Sequence, residues 1–275
     1  MRIFLRTFNF ILVLLLVSCS REEKQEDANL EGATVESNLV QQDKINAQNV
    51  FNILPTRDLV VKLIDENKLE YNADYLSNPT NVNKFTLELF RAVNLGIYGA
   101  DLCIASSFQQ TQESMIFLKS VNILANNLGV SGAFSHEMFE RIELNKTNND
   151  SVIQIVTNAF KQVDEILKYN KRAATAAVIL SGCWIEGFYV SCKMAERNKE
   201  KNLIKTIIQQ KESLKNLIVL LENAGLEKDS VFITQKLHGL LTTISENESK
   251  FDKEAIDSTF KMISDLRNHV VAVNN

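Results

Sequence analysis

Residues 82–104, VNKFTLELFRAVNLGIYGADLCI, and the later stretch 173–194, AATAAVILSGCWIEGFYVSCKM, decide the fold of this 275-residue chain. From Phe85 through Leu89, Val93, Gly96 and Ala100 to Ile104, the first is apolar nearly all round a helical wheel. The second repeats that character. A helix apolar on every side belongs in the middle of a structure, with amphipathic helices packed around it. The flanking sequence supplies them. Phe117, Leu118, Val121, Leu124, Ala125 and Leu128 fall on one face and stop at Gly129, as a C′ glycine would require. Val152, Ile155, Val156, Ala159, Val163 and Ile166 make another face, after Asp150 or Ser151 as the cap. Ile204, Ile207, Ile208, Leu214, Leu217, Ile218 and Leu221 make a third, stopping at Gly225. Ser135 opens a shorter helix to Leu144 that buries Met138 and Phe139, and residues 145–149 form a loop. Val82 onward reads as nearly continuous helix.

Composition agrees. Two prolines and nine glycines are too few for a β-sandwich or barrel, which needs a turn signal about every 8–12 residues. The expected class is all-α, a multi-helix bundle forming one domain over residues 51–275. Its first element is a short helix beginning at Pro55-Thr56, with Leu59, Val60, Leu63 and Ile64 at helical spacing, followed by a turn at Asn78-Pro79.

The bundle carries a suggestion of internal repetition. Leu118-Lys119 through Asn127-Leu-Gly129 aligns with Leu214-Lys215 through Asn223-Ala-Gly225, and Asn158-Ala-Phe160-Lys161 aligns with Ser258-Thr-Phe260-Lys261. Two pseudo-repeated four-helix units, 82–168 and 171–272, are the expectation.

The N-terminus gives an address. Arg2 and Arg6 precede an apolar run from Phe8 to Val17, of signal-peptide length and too short to span a bilayer. Leu16-Val17-Ser18-Cys19 resembles the lipobox of bacterial lipoproteins. That resemblance implies cleavage after residue 18 and lipidation of Cys19 by a diacylglycerol and an N-acyl (palmitate-type) chain. Two or more acyl chains anchor a protein stably without any transmembrane helix. Residues 19–50 then read as a lipidated cysteine and a polar, disordered tether. Its beginning, Ser20-Arg21-Glu22-Glu23, is similar to signals that carry some lipoproteins to the cell surface. The expected location is therefore the outer membrane, facing the periplasm or the exterior, with the membrane itself as a partner through Cys19.

The unusual residues lie in the two central segments. Asp101 and Glu186 are acids placed inside apolar helices, accompanied by Tyr98 and Trp184. Buried acids are costly unless paired, so Asp101 and Glu186 are expected to face each other or to share Arg91 or Arg172. Gly96, Gly99, Gly182 and Gly187 each cost about 1 kcal/mol against alanine within a helix, and the expected reason is the close approach of a neighbouring helix or of a ligand. Tyr98, Asp101, Trp184 and Glu186 are the candidate ligand-binding set; a polar network that fixes helix docking is the favoured alternative.

No catalytic motif, phosphate loop or metal-ligand spacing is present, and His136, His238 and His269 stand apart. No cofactor is expected. A formal charge of −4 offers nothing to nucleic acid. Cys103, Cys183 and Cys192 are odd in number and lack a CxxC, and Cys183 and Cys192 lie about 13 Å apart on one helix, so buried free thiols are expected.

At NLGIYGADL and GCWIEGFY, and through Phe108-Gln-Gln-Thr-Gln112, the chain also resembles a family of all-helical bacterial lipoproteins over most of residues 53–190. Cys103 and Cys183 stand where small residues are expected in that family. The resemblance implies an all-helical fold and transfers no activity. The function expected is an envelope lipoprotein that binds a partner protein or small ligand without catalysis. The alternatives are a hydrolase-type enzyme using Asp101 and Glu186, or a purely architectural component.

Overall fold

A computed structural model describes residues 69–198, 201–248 and 250–272. The leader, the tether and the expected lead-in helix at 55–64 lie outside the described residues. Within them the secondary structure is entirely helical. The α-helices are α1 (Glu88–Ser107), α2 (Thr111–Asn127), α3 (His136–Asn145), α4 (Asn149–Tyr169), α5 (Ala173–Asn198), α6 (Lys201–Ile208), α7 (Lys211–Asn223), α8 (Val231–Asn247) and α9 (Lys253–Val271). The all-α expectation holds.

α1 and α5 form the central pair. Every residue of α1 from Ala92 to Ser106 is buried, and the apolar window of α5 is 83% buried. Length and composition alone would let α5 cross a membrane; its burial among other helices makes it the core helix of the bundle. The two run parallel. Glu88 at the head of α1 meets Thr175 at the head of α5, and further along Asp101 lies beside Glu186.

The crossing depends on glycine. A methyl group at Gly96 would drive into the Ile179 carbonyl oxygen and come 2.7 Å from the Cys183 nitrogen. One at Gly182 would drive into the Val93 carbonyl and come 3.2 Å from the Ile97 nitrogen. Each helix thus places a glycine between residues i and i+4 of the other. Backbones this close leave no room for a side chain.

The remaining helices wrap this pair. α2 and α4 pack on α1; α6, α7 and α9 pack on α5; α3 lies on α4, and α8 on α7 and α9. Their inner faces follow the expected periodicity, as with Phe117, Leu118, Val121, Leu124 and Ala125 of α2 and Val152, Ile155, Val156, Ala159 and Val163 of α4. Gly129 and Gly225 both adopt positive φ, +73° and +67°, ending α2 and α7 in the left-handed conformation that glycine accepts most readily.

Several local expectations are corrected. Helix does not begin at Val82. Asn78 caps a 3-10 segment, Pro79–Lys84, whose chain leaves extended at Phe85 before α1 starts at Glu88. The cap of α4 is Asn148, accepting from the Ser151 amide at 3.0 Å, rather than Asp150 or Ser151. Asn148 is as good a cap by chemistry; the acid that follows it serves the first turn. The single helix expected between Ile204 and Leu221 is two, broken at Gln209-Gln210. Phe139 and Ile166 are only half-buried. Ser135 does cap α3, accepting from the Met138 amide at 3.3 Å.

Candidate functional site

Asp101 and Glu186 come together, as their placement on the two central helices suggested. Both are completely buried. The arginine they use is neither Arg91 nor Arg172. Arg91 turns to the Phe85 carbonyl, and Arg172 caps the end of α2 through the Leu128 carbonyl while pairing with Glu88 at 2.7 Å. The buried partner is Arg267 of α9. Its Nε donates to Glu186 Oε2 at 3.0 Å and its Nη2 to Oε1 at 2.9 Å. A two-point fork of this kind is the strongest geometry an arginine offers a carboxylate. Nη2 also donates to Ser77 Oγ at 2.8 Å, and the guanidinium lies 4.7 Å over the Tyr189 ring.

The Ser77 amide completes the group by donating to Asp101 Oδ2 at 3.0 Å. Four parts of the chain therefore meet at one point: the segment before α1, α1, α5 and α9. Asn94 ties α1 to α9 a second time, its Nδ2 donating to the carbonyls of Phe90 and Val270 at 2.9 and 2.8 Å.

The charges in this cluster do not balance if every group ionises: two carboxylates share one guanidinium. Burial and the adjacent Glu186 push the Asp101 carboxyl well above the usual carboxylate range, more than Arg267 and the Ser77 amide pull it down. Asp101 Oδ1 accepts no hydrogen bond from any described residue. One proton on Asp101 balances the charges of the cluster. For Arg267, burial alone would favour the uncharged form, and the charge and hydrogen bonds of Glu186 reverse that.

Tyr98 and Trp184 belong elsewhere. Tyr98 donates to the Asn78 carbonyl at 2.8 Å, and burial above all holds its phenol protonated well above its ordinary value. Trp184 stacks on Phe188 at 4.6 Å and donates its indole N–H to Ser213 Oγ of α7 at 2.7 Å. Its ring secures α7, and it presents nothing to the acids. The expected four-residue set is thus one acid pair with Tyr98 at its edge and Trp184 in the packing of another interface.

The three cysteines are buried and free. Burial pushes the Cys103 thiol up to about 12 and those of Cys183 and Cys192 well above their ordinary range. No group of three or more potential metal ligands occurs among the described residues. His136 pairs with Glu140 and His238 with Glu222 at 3.1 and 2.7 Å on the surface.

A cavity of about 480 Å³ opens away from this cluster, where the heads of α1 and α5 meet the start of α8 and the end of α9. Leu89, Phe90, Val178 and Phe232 give it an apolar interior, and Glu88, Glu227 and Asp229 stand at its edge. No residue type in this region announces a site by itself, so sequence reading passes over it. Comparison with family models, with curated proteins and with solved structures finds no match.

Proposed function

We propose that this protein is a lipid-anchored component of the bacterial cell envelope, held to the outer membrane through Cys19, whose helical body binds a small ligand or partner without catalysis. The leader supports the anchoring: Arg2 and Arg6, an apolar run, then Leu16-Val17-Ser18-Cys19 and a polar chain. The observation that carries the non-catalytic reading is the state of the two acids. Glu186 is held by both donors of the Arg267 fork, and both carboxyls are fully buried, so neither is presented to a substrate. A pair of catalytic carboxylates has to flank a reacting bond with room for it. The open cavity, by contrast, lies in the size range of small-molecule sites and is mostly apolar.

Mass spectrometry of the mature N-terminus tests the anchor: a diacylglycerol-modified, N-acylated Cys19 is expected, and an unmodified one rejects the reading. In the binding arm, Asp101→Asn should leave any ligand effect intact. Loss of a ligand effect with the fold retained would return the acids to the site.

A tandem duplication of a four-helix unit, 82–168 and 171–272, is proposed for the architecture. It is supported by the reciprocal glycine crossing and by the matched positive-φ caps at Gly129 and Gly225. Two features run against strict repetition: α2 is a single helix where α6 and α7 are two, and α7 packs on α8 while α2 packs on the 3-10 segments Pro79–Lys84 and Ser131–Ala133. Superposition of α1–α4 on α5–α9 with the helices out of order would reject it.

A further inference from the structure

The cavity at the head of the bundle has an uneven charge. Its edge carries three carboxylates, Glu88, Glu227 and Asp229, and no lysine or arginine lines it. Glu88 is already used, accepting from Arg172 at 2.7 Å and from Thr175 Oγ1 at 3.0 Å, which holds its carboxyl below the usual range. Glu227 and Asp229 are exposed and make no ion pair among the described residues. Lys228, exposed between these two acids in the chain, is not part of the lining, and His269, the remaining ionisable residue of the lining, lies edge-on against Phe232 at 4.8 Å. Beneath this edge the surface is apolar and partly aromatic, through Phe90, Val178 and Phe232.

Resting on the binding role argued above, we propose that this cavity takes a small amphipathic cation: an ammonium or amidinium group carried on an apolar body. The apolar body fills the interior between α1, α5 and α8, where it removes Phe90 and Phe232 from water. The cationic head meets Glu227 and Asp229. An anion would be repelled by the same edge. A neutral ligand would leave both carboxylates without a role in binding. These two acids sit just before α8, where negative charge also complements the helix dipole, so the test has to separate binding from capping.

Three compounds sharing one apolar body do so: 4-phenylbutylammonium, 4-phenylbutan-1-ol and 4-phenylbutyrate, titrated calorimetrically into the full chain in lipid nanodiscs. The ammonium is expected to bind roughly tenfold tighter than the alcohol, the worth of one charge-assisted hydrogen bond, with the carboxylate weakest. The double variant E227Q/D229N should abolish the preference, bringing the ammonium down to the alcohol, while the alcohol itself is unchanged. Equal binding of ammonium and alcohol, or a carboxylate that binds best, overturns the cationic assignment and leaves the binding role standing. A double variant that melts earlier but keeps the preference assigns the two acids to α8 alone, and also overturns it. If none of the three compounds binds, the binding role fails at this cavity together with the inference.

Discussion

Arg267 and Asp101 are where single substitutions should tell most. Arg267 is the one guanidinium beside the two buried carboxyls among the described residues, so Arg267→Ala leaves the Glu186 carboxyl without its ion-pair partner in the interior. Breaking a buried pair by removing one partner costs about 3–5 kcal/mol, and urea unfolding should show a loss of that size. The double variant R267M/E186Q removes the charge along with its partner and should recover most of it. Asp101 carries a pH signature. A carboxyl whose pKa is higher folded than unfolded binds its proton more tightly in the folded chain. Its contribution to stability is then fullest below the unfolded value, about 3.9. That contribution is lost as pH rises toward the raised folded value. The wild-type chain should therefore lose more stability between pH 5 and pH 8 than Asp101→Asn, which keeps an acceptor for the Ser77 amide and has no proton to lose. Equal pH dependence of the two proteins would place the titration elsewhere. The meeting of Asp101 with Glu186 was readable from two acids on two core helices. Arg267 was not, because it lies on an amphipathic helix whose other charges are exposed, and nothing local marks one arginine as the buried one.

At the scale of the elements, the α1–α5 crossing is the most exposed to test. Gly96→Ala gains about 1 kcal/mol of helix propensity, but its methyl meets backbone on α5, which cannot rotate away as a side chain could. Overpacking of that kind costs about 1–3 kcal/mol or more, so a net loss is expected for Gly96→Ala and for Gly182→Ala. Because both open the same crossing, the double variant should cost less than the sum of the two, and denaturant unfolding of the four proteins measures the difference. Gly129→Ala is a useful contrast. It meets nothing within 4 Å, and only its positive φ resists a side chain, so a loss of about 1 kcal/mol is expected. The amphipathic faces and glycine caps of the wrapping helices could be read directly from residue spacing. The break at Gln209-Gln210 could not, since neither residue interrupts a helix by its own chemistry. The chain turns there as it passes from α6 to α7, with Ile207 fully buried beside the turn.

For the molecule as a whole, one buried core runs through all these helices, and α1 and α5 lie at its centre. Their amides should exchange with solvent only on global unfolding, later than those of α3 or of the α6–α7 turn. Cys103, Cys183 and Cys192 report the same event from side chains. Buried thiols held far above neutral pKa react poorly with a disulfide reagent, so all three should label together, at the rate at which α1 and α5 amides exchange. A thiol that reacts early in the native protein would mean that its helix opens locally.

The sequence by itself determined the helical class, because period and scarcity of turn residues are local properties. It determined which two segments sit at the centre, because a helix apolar on every side has nowhere else to go. Tertiary structure alone decided which arginine neutralises Glu186, that Trp184 turns to α7 and away from the acids, and where a cavity remains. Each of those depends on which faces of distant helices meet, and the spacing of residues along one helix carries no information about the neighbour that covers it.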